Sequence, residues 1–414
     1  MPEETPLITV LALAFVIAFV LGFAARQFRM PSLVGYLLAG VMVGPYTPGY
    51  VTDTVLAQQL ADTGVILLMF GVGLHFSPRD LLQVRWIVVP GALLQIAITL
   101  LLGFGLAQTF GWGLGGGIVF GLALSVASTV VLLRAMEARG DLDSEHGHIA
   151  TGWLVVEDVF MVLMLLLLPV FTDALNGSFS DSAGQNLAAA FLFAIVKMVA
   201  FGALAMLGGR HVVPWLLQRV ESTGSRELST LALLATALGV ACVAAILFDT
   251  SFALGAFFAG VMLNESRQGH AAGLRALPFQ DAFAVLFFVS IGMLFDPSIV
   301  TEAPWALLGV LLIVMLGKPL VALVILLFVR HPLPTALTVA ASLAQIGEFS
   351  FILASFGLAY GQLPTDGRDL IMAGALISIA VNPLLFRLLA PVETWLRARP
   401  ELLRRLGAKD DLSP

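Results

Sequence analysis

Two adjacent carboxylates, Glu157 and Asp158, lie within the apolar run from Ile149 to Phe171. About 20 apolar residues suffice to cross a bilayer as a helix, so this run predicts a transmembrane helix. A charged residue near the bilayer centre costs about 2.5–3.5 kcal/mol on insertion scales, and it is retained where it faces a partner, a cavity or an ion path. The pair therefore predicts a site that couples ions or protons. The alternative, a short helix of a soluble core with a solvated Glu-Asp end, is disfavoured because apolar residues continue on both sides.

Composition places the chain in a membrane. Its 414 residues are 59% hydrophobic and 12% charged, whereas soluble domains carry about 25% charged residues. The bilayer is thus the first predicted partner, and the net charge of −6 gives no reason to expect nucleic acid. The one cysteine, Cys242, lies in an apolar run and excludes an internal disulfide, so packing is its predicted role. The N-terminal sequence lacks the basic region of a signal peptide, so the first apolar run is expected to remain in the protein.

Thirteen apolar runs predict membrane spans. They lie at about residues 7–28, 32–46, 56–75, 86–110, 114–136, 148–171, 187–213, 228–247, 251–264, 279–295, 303–328, 333–357 and 369–391. The connections are short, as expected of a helical bundle. The fold class predicted is therefore an all-α polytopic membrane protein.

The charges of the loops predict the orientation. With alternate loops on alternate sides, most basic residues fall on one side: Arg26, Arg29, Arg79, Arg85, Arg134, Arg139, Arg210, Arg219, Arg226, Arg267, Arg275, Arg330, Arg387, Arg397, Arg399, Arg404, Arg405 and Lys409. Arg368 falls opposite, and Lys197 and Lys318 lie inside spans. Because Lys and Arg stay on the cytoplasmic side, the N-terminus is predicted outside and the C-terminus in the cytoplasm.

The sequence repeats itself after seven spans. At an offset of 220, Gly35 and Gly40 meet identical residues at 255 and 260, and at an offset of 219 Gly73 meets Gly292. Seven is an odd number of crossings, so the two copies are predicted to lie upside down relative to each other, an architecture of secondary transporters. The repeats span about residues 5–171 and 227–391 and are joined by a linking helix at about 187–213.

Two spans are predicted to be broken near the middle of the membrane. Span 5 carries Ser125, Ser128 and Thr129, and span 12 carries Gln345, Gly347 and Glu348 at the matching position. Small and β-branched residues weaken a helix there and free backbone groups to face a cavity. In the alternative, the Ser and Thr residues serve only to pack helices together.

Lys318 in span 11 is predicted to pair with Glu157. Adjacent helical residues point about 100° apart, so Glu157 and Asp158 cannot face one object. One can face a cavity while the other meets Lys318, because an unpaired buried ammonium is very costly. Two roles for Lys318 remain open, a structural counter-charge and a part in proton coupling.

Eight segments resemble the monovalent cation:proton antiporter family, most closely its Kef-type potassium/proton subgroup. They are Pro31–Pro45, Gly64–Ser77, Ala123–Met136, Gly152–Asp158, Ser251–Ser266, Leu286–Met293, Gly317-Lys318 and Ala344–Phe351. The resemblance implies a sodium/proton antiporter-like fold of about 13 helices in two inverted six-helix repeats with crossed broken helices. It also implies a homodimer in the bacterial inner membrane that works by an elevator-type movement.

The resemblance further implies that Asp158 binds the cation and the proton in turn. At the preceding position the family carries Gln, Asn or Asp, whereas this chain has Glu157, which leaves the cation and the stoichiometry open. Kef-type proteins continue into a nucleotide-binding domain, and this chain is expected to carry only a short basic tail at residues 396–414. No cofactor is expected here, and a nucleotide only with such a further domain.

The prediction is thus a secondary antiporter, not an enzyme, that exchanges K⁺, with Na⁺ as the alternative cation, for H⁺. Asp158 binds the monovalent cation, with Glu157 and Lys318 beside it. The supporting residues are Ser125, Ser128, Thr129, Gln345 and Glu348. Two alternatives remain: a ligand-gated K⁺ channel-like protein, which the broken-helix repeat disfavours, and an organic-anion carrier, which the excess of acidic groups disfavours.

Overall fold

A computed structural model describes residues 6–28, 30–47, 54–75, 78–141, 144–175, 196, 200, 203, 210–248, 252–264 and 269–399. The helices of the first half are α1 Pro6–Gln27, α2 Ser32–Val43, α3 Thr54–His75, α4 Pro78–Thr109, α5 Leu114–Ser125, α6 Thr129–Arg139 and α7 Glu145–Leu175. Those that follow are α8 Arg210–Glu221, α9 Arg226–Phe248, α10 Phe252–Asn264, α11 Gly269–Met293, α12 Ile299–Glu302, α13 Pro304–Leu312, α14 Lys318–Phe328, α15 Leu333–Ser342, α16 Glu348–Ala359 and α17 Thr365–Arg397, with a π-helical turn, Ile313–Gly317, joining α13 to α14.

The predicted spans correspond to these helices. Within the described residues, six helices are long and apolar enough to cross a membrane, and six shorter apolar helices accompany them. The protein is therefore an all-α, multi-pass membrane protein. The predicted linking helix at 187–213 lies outside the described residues apart from residues 196, 200, 203 and 210–213, and residues 400–414 of the predicted tail lie outside them as well.

Several helices, among them α4 and α11, extend further than their apolar runs. Helix α4 starts at Pro78 and α11 at Gly269, so Arg79, Arg85 and Arg275 are helical residues and not loop residues. Hydropathy marks where a chain enters the bilayer, whereas the backbone hydrogen bonds that define a helix can continue beyond that point.

The chain forms two compact units, each assembled from both halves of the sequence. The first unit comprises Met1–Phe23, Gly35–Pro78 and Met164–Leu294, and the second unit comprises Ala24–Val34, Arg79–Leu163 and Phe295–Pro414. In the first unit, α1, α2, α3 and α11 contribute a shared core of apolar side chains: Val10, Ala14, Ala18, Ala39, Val43, Leu60, Leu286, Val289 and Met293.

Glycines in the first unit show the inverted repeat directly. A Cβ atom on Gly40 of α2 would overlap the carbonyl oxygen of Val289 in α11. A Cβ atom on Gly260 of α10 would overlap the carbonyl oxygen of Phe70 in α3. Gly260 occupies the position in the second copy that Gly40 occupies in the first, and Val289 likewise corresponds to Phe70. The same close contact between helices therefore occurs twice, once with the glycine from the first copy and once with the glycine from the second. This confirms the predicted inverted repeat.

The second unit contains both broken helices. Helix α5 ends at Ser125 and α6 begins at Thr129, with Val126 in an extended conformation (φ −106°, ψ 136°). Helix α15 ends at Ser342 and α16 begins at Glu348, with Gly347 extended (φ −97°, ψ 174°). Both predicted breaks are confirmed. They rest on an apolar core in which Trp153, Leu154 and Val339 are fully buried.

Candidate functional site

The two breaks of the second unit are hydrogen-bonded to each other. The backbone N–H of Gly347 donates to the carbonyl oxygen of Val126 at 3.0 Å, and Nε2 of Gln345 donates to the carbonyl oxygen of Ser128 at 3.3 Å. A Cβ atom on Gly347 would overlap the carbonyl oxygen of Ala127, so only glycine allows the two backbones to come this close. The broken segments of spans 5 and 12 therefore form one polar crossing, which we call the crossover.

Glu157 and Lys318 each stabilise one side of the crossover. Broken helices leave backbone groups unpaired, with partial positive charge at N-termini and partial negative charge at C-termini. Oε2 of Glu157 accepts a hydrogen bond of 2.8 Å from the N–H of Ala127, just before α6 begins. Nζ of Lys318 donates a hydrogen bond of 3.1 Å to the carbonyl oxygen of Gln345, just after α15 ends. Each charge therefore has the sign that its helix end favours.

The predicted pairing of these two side chains is electrostatic in the structure. The charges of Lys318 and Glu157 interact, while the close hydrogen bond of each side chain is to a backbone group of the crossover. The position of Lys318 within an apolar span indicates that its ammonium requires an acceptor. The sequence does not show that this acceptor is a carbonyl oxygen freed by a broken helix.

Asp158 faces the start of α6. Its Oδ2 accepts a hydrogen bond of 2.8 Å from the hydroxyl of Thr129, and the residue is 5% exposed. Its Oδ1 is buried and has no hydrogen-bond partner. A carboxylate removed from water is strongly disfavoured unless a cation or a proton neutralises it. Asp158 thus has one oxygen fixed by the protein and the other free for exchange.

Glu348 is a second buried carboxyl that lacks a close hydrogen bond, although the hydroxyl of Ser128 and its own backbone N–H lie nearby. It is the first residue of α16 and is 2% exposed, and neither carboxyl oxygen has a hydrogen-bond partner. A helix N-terminus stabilises a negative charge by about 0.3–1 kcal/mol, and by about 2 kcal/mol in favourable buried geometries. Taking a charge out of water costs several kcal/mol, so the helix alone does not offset it. Glu348 therefore also needs a proton or a cation.

The described buried side-chain atoms around the crossover that lack a hydrogen-bond partner are all acceptors: Oδ1 of Asp158, Oε1 of Glu157, Oε1 of Gln345, Oε1 and Oε2 of Glu348, and Oδ1 of Asn382. A buried acceptor without a partner costs about 1–3 kcal/mol, and hard cations prefer oxygen ligands. Within the described residues, no group of three or more His, Cys, Asp or Glu side chains has an arrangement able to hold a metal ion. The oxygens that the crossover offers to a cation are those of carboxylates together with neutral hydroxyl, amide and carbonyl groups.

The remaining predicted residues divide into two groups. Oγ of Ser128 accepts a hydrogen bond of 3.3 Å from the N–H of Val131, so this residue lies at the crossover and caps α6. Oγ of Ser125 donates a 2.7 Å hydrogen bond to the carbonyl oxygen of Leu122 within its own helix. The hydroxyl of Ser125 is thus engaged within its own helix and makes no hydrogen bond to the second break.

Gln95 of α4 supports the site and was not predicted. Its Nε2 donates to the carbonyl oxygen of Ser125 at 3.1 Å, and its Oε1 accepts from Nε1 of Trp153 at 3.2 Å. Trp153 lies on α7, one helical turn before Glu157. The fully buried amide of Gln95 therefore links α7 to the end of α5. The available signal was one amide inside an otherwise apolar span, since such amides commonly hydrogen-bond between helices.

Two residues of α17 support the second break in the same way. Nδ2 of Asn382 donates a 2.8 Å hydrogen bond to the carbonyl oxygen of Ala341. Oγ of Ser378 accepts a 3.3 Å hydrogen bond from the N–H of Ile346. Neither residue was predicted, although both interrupt the apolar run of span 13.

Inverted repeats, crossed broken helices and a buried acidic pair beside the crossover define a secondary transporter of the cation/proton antiporter class. The family model described as the transmembrane sodium/hydrogen exchanger matches residues 12–390. The chain therefore belongs to the sodium/hydrogen exchanger family, a family of transporters, as the resemblance predicted.

Named relatives agree with this assignment. The chain is 56% identical over 389 residues to YbaL of Escherichia coli (strain K12), a proposed cation/proton antiporter; the match covers 94% of this chain and 69% of YbaL. It is 34% identical to K(+) efflux antiporter 4 of Arabidopsis thaliana, with 93% of this chain and 64% of that protein covered. The structure of the sodium proton antiporter MjNhaP1 from Methanocaldococcus jannaschii shares the fold, with a TM-score of 0.71, 18% identity, and 93% of this chain and 99% of that chain covered.

Proposed function

We propose that this protein exchanges a monovalent cation for H⁺ and that Asp158 binds the two in turn. The observation that carries the proposal is the free Oδ1 of Asp158, buried beside the crossover while Oδ2 is held by Thr129. A proton and a cation neutralise the same carboxylate, so the binding of one displaces the other. Coupled exchange follows from that competition.

Neutral oxygens complete the proposed cation site. The hydroxyls of Thr129 and Ser128 and the amide oxygen of Gln345 lie at the crossover, and Oε1 of Gln345 has no hydrogen-bond partner. Carboxylate, hydroxyl and carbonyl oxygens suit a hard monovalent ion. Glu157 and Lys318 hold the two helix breaks in place around it.

We favour K⁺ over Na⁺ as the transported cation. The Arabidopsis relative is described as a K(+) efflux antiporter, and it shares 34% of its aligned residues with this chain over 93% of the chain's length. The family model bears the name of sodium, which keeps Na⁺ as the second choice.

The proposed cycle is of the elevator type, in a homodimer of the bacterial inner membrane. The support is the resemblance to Kef-type antiporters and the similarity to an Escherichia coli protein. The distribution of basic loop residues supports an external N-terminus and a cytoplasmic C-terminus.

Reconstitution tests this function. The purified protein is placed in liposomes containing a pH-sensitive dye, an inward-acidic gradient is imposed, and K⁺, Na⁺ and Li⁺ are added in turn outside. We expect the lumen to become alkaline on addition of K⁺ and, more weakly, of Na⁺. Cation flux that leaves the luminal pH unchanged when the membrane potential is clamped would instead identify an uncoupled channel.

A further inference from the structure

Glu348 retains two unsatisfied oxygens in the described structure. The donors near its carboxyl are neutral, namely the hydroxyl of Ser128 and its own backbone N–H, and no described basic side chain interacts with it. Lys318, the buried ammonium of this unit, donates to the carbonyl oxygen of Gln345 and interacts electrostatically with Glu157. The part of the chain that the structure describes therefore provides no basic counter-charge for Glu348.

The position of Glu348 relates it to Asp158. Ser128 lies beside Glu348, and its neighbour Thr129 donates to Asp158, so the two carboxyls approach adjacent residues of one helix break. The carboxyls also interact electrostatically with each other. A cation held near Ser128 and Thr129 would therefore interact with both carboxylates.

We propose that Glu348 is a second anionic ligand of the transported cation and that it determines the order of preference among Li⁺, Na⁺ and K⁺. This inference rests on the proposed function. The Coulomb attraction between an ion and an anionic oxygen rises as their separation falls, so an added carboxylate favours the smaller ions relative to K⁺. The number and field strength of the ligands are recognised determinants of such selectivity.

The test compares Glu348→Gln with wild type in the liposome assay. The amide keeps the size of the side chain and removes its charge. We expect the half-saturating concentration to rise at least about tenfold for Na⁺ and Li⁺ and less for K⁺. Glu227→Gln, which removes an exposed charge from the first turn of α9, is the matched control and should leave both values unchanged.

Calorimetric titration of detergent-solubilised protein with NaCl is the second readout. Unchanged half-saturating concentrations with an unchanged ion order in Glu348→Gln would overturn the inference. If that variant does not exchange, loss of Na⁺ binding supports the inference and a wild-type affinity overturns it. If Glu348→Gln does not fold, Glu348→Asp, which withdraws the carboxylate by one methylene, should weaken Na⁺ binding in the calorimeter, and a wild-type Na⁺ affinity overturns the inference.

These measurements separate the two proposals. A wild-type protein without any coupled exchange contradicts the proposed function, and calorimetry then still shows whether Glu348 contributes to cation binding. Normal wild-type exchange together with a Glu348→Gln variant that behaves like wild type contradicts only the role of Glu348.

Discussion

The backbone N–H of Gly347 donates a 3.0 Å hydrogen bond to the carbonyl oxygen of Val126, which joins the two broken helices where both are extended. Two segments separated by more than half of the chain therefore depend on each other for hydrogen bonds. The carboxylate of Glu157 and the ammonium of Lys318 bind the same crossover through Ala127 and Gln345. The proposed ion site and the backbone that supports it are one structure.

Gly347→Ala should disrupt this structure. The φ of −97° suits any residue, so the expected effect comes from the overlap of the new methyl group with the carbonyl oxygen of Ala127. Overpacking of this kind costs about 1–3 kcal/mol. We expect a lower thermal unfolding temperature and a loss of exchange. Gly105→Ala is the control, because a Cβ atom there meets nothing within 4 Å; equal behaviour of the two variants would contradict the crossover as described.

Glu157→Gln and Glu157→Ala should differ in stability. A glutamine at this position can still accept the hydrogen bond from the N–H of Ala127, whereas an alanine leaves that buried donor without a partner at a cost of about 1–3 kcal/mol. We expect Glu157→Gln to unfold near the wild-type temperature and Glu157→Ala well below it. Similar unfolding temperatures for both variants would show that the acceptor at residue 157 has no structural role.

The helical architecture could largely be predicted, because a segment that crosses a membrane must be apolar over its length and must satisfy its backbone hydrogen bonds internally. Apolar length marks a span, and the repeated glycines at positions 40 and 260 mark the same helix contact in each copy. The breaks followed from Ser128 and Gly347, residues that weaken a helix at matching positions. Apolar length, repeated glycines and helix-weakening residues can each be read from residue type and spacing, which the sequence contains.

Side-chain partners could not be predicted as well, because they depend on distances that the sequence does not contain. Lys318 was assigned to Glu157 by charge alone, but the freed carbonyl oxygen of Gln345 is its hydrogen-bond acceptor. The hydroxyl of Ser125 donates to a carbonyl oxygen of its own helix. The side chain that binds the end of α5 is instead Gln95 of α4, which the sequence analysis does not predict. The assembly of each compact unit from both halves of the chain was likewise not evident from the apolar pattern.

Gln95→Leu should weaken the attachment of α7 to α5. The leucine would leave Nε1 of Trp153 and the carbonyl oxygen of Ser125 without partners, each at a cost of about 1–3 kcal/mol. We expect a clearly lower unfolding temperature and slower exchange. Gln108→Leu, on the same helix but exposed, should change both by much less, since water can replace its hydrogen bond to Trp112. Equal losses in the two variants would argue against a supporting role for Gln95.

The central claim is that one carboxylate exchanges a proton for a cation, and Asp158→Asn tests it most directly. The amide is nearly isosteric, and its oxygen can still accept from the hydroxyl of Thr129, so a folded protein is expected. The control is Asp281→Asn, at an exposed position of α11. In proteoliposomes loaded with the pH-sensitive dye, Asp158→Asn should show no cation-driven pH change above protein-free vesicles, while Asp281→Asn matches wild type. Coupled exchange by Asp158→Asn at the wild-type rate would contradict the account.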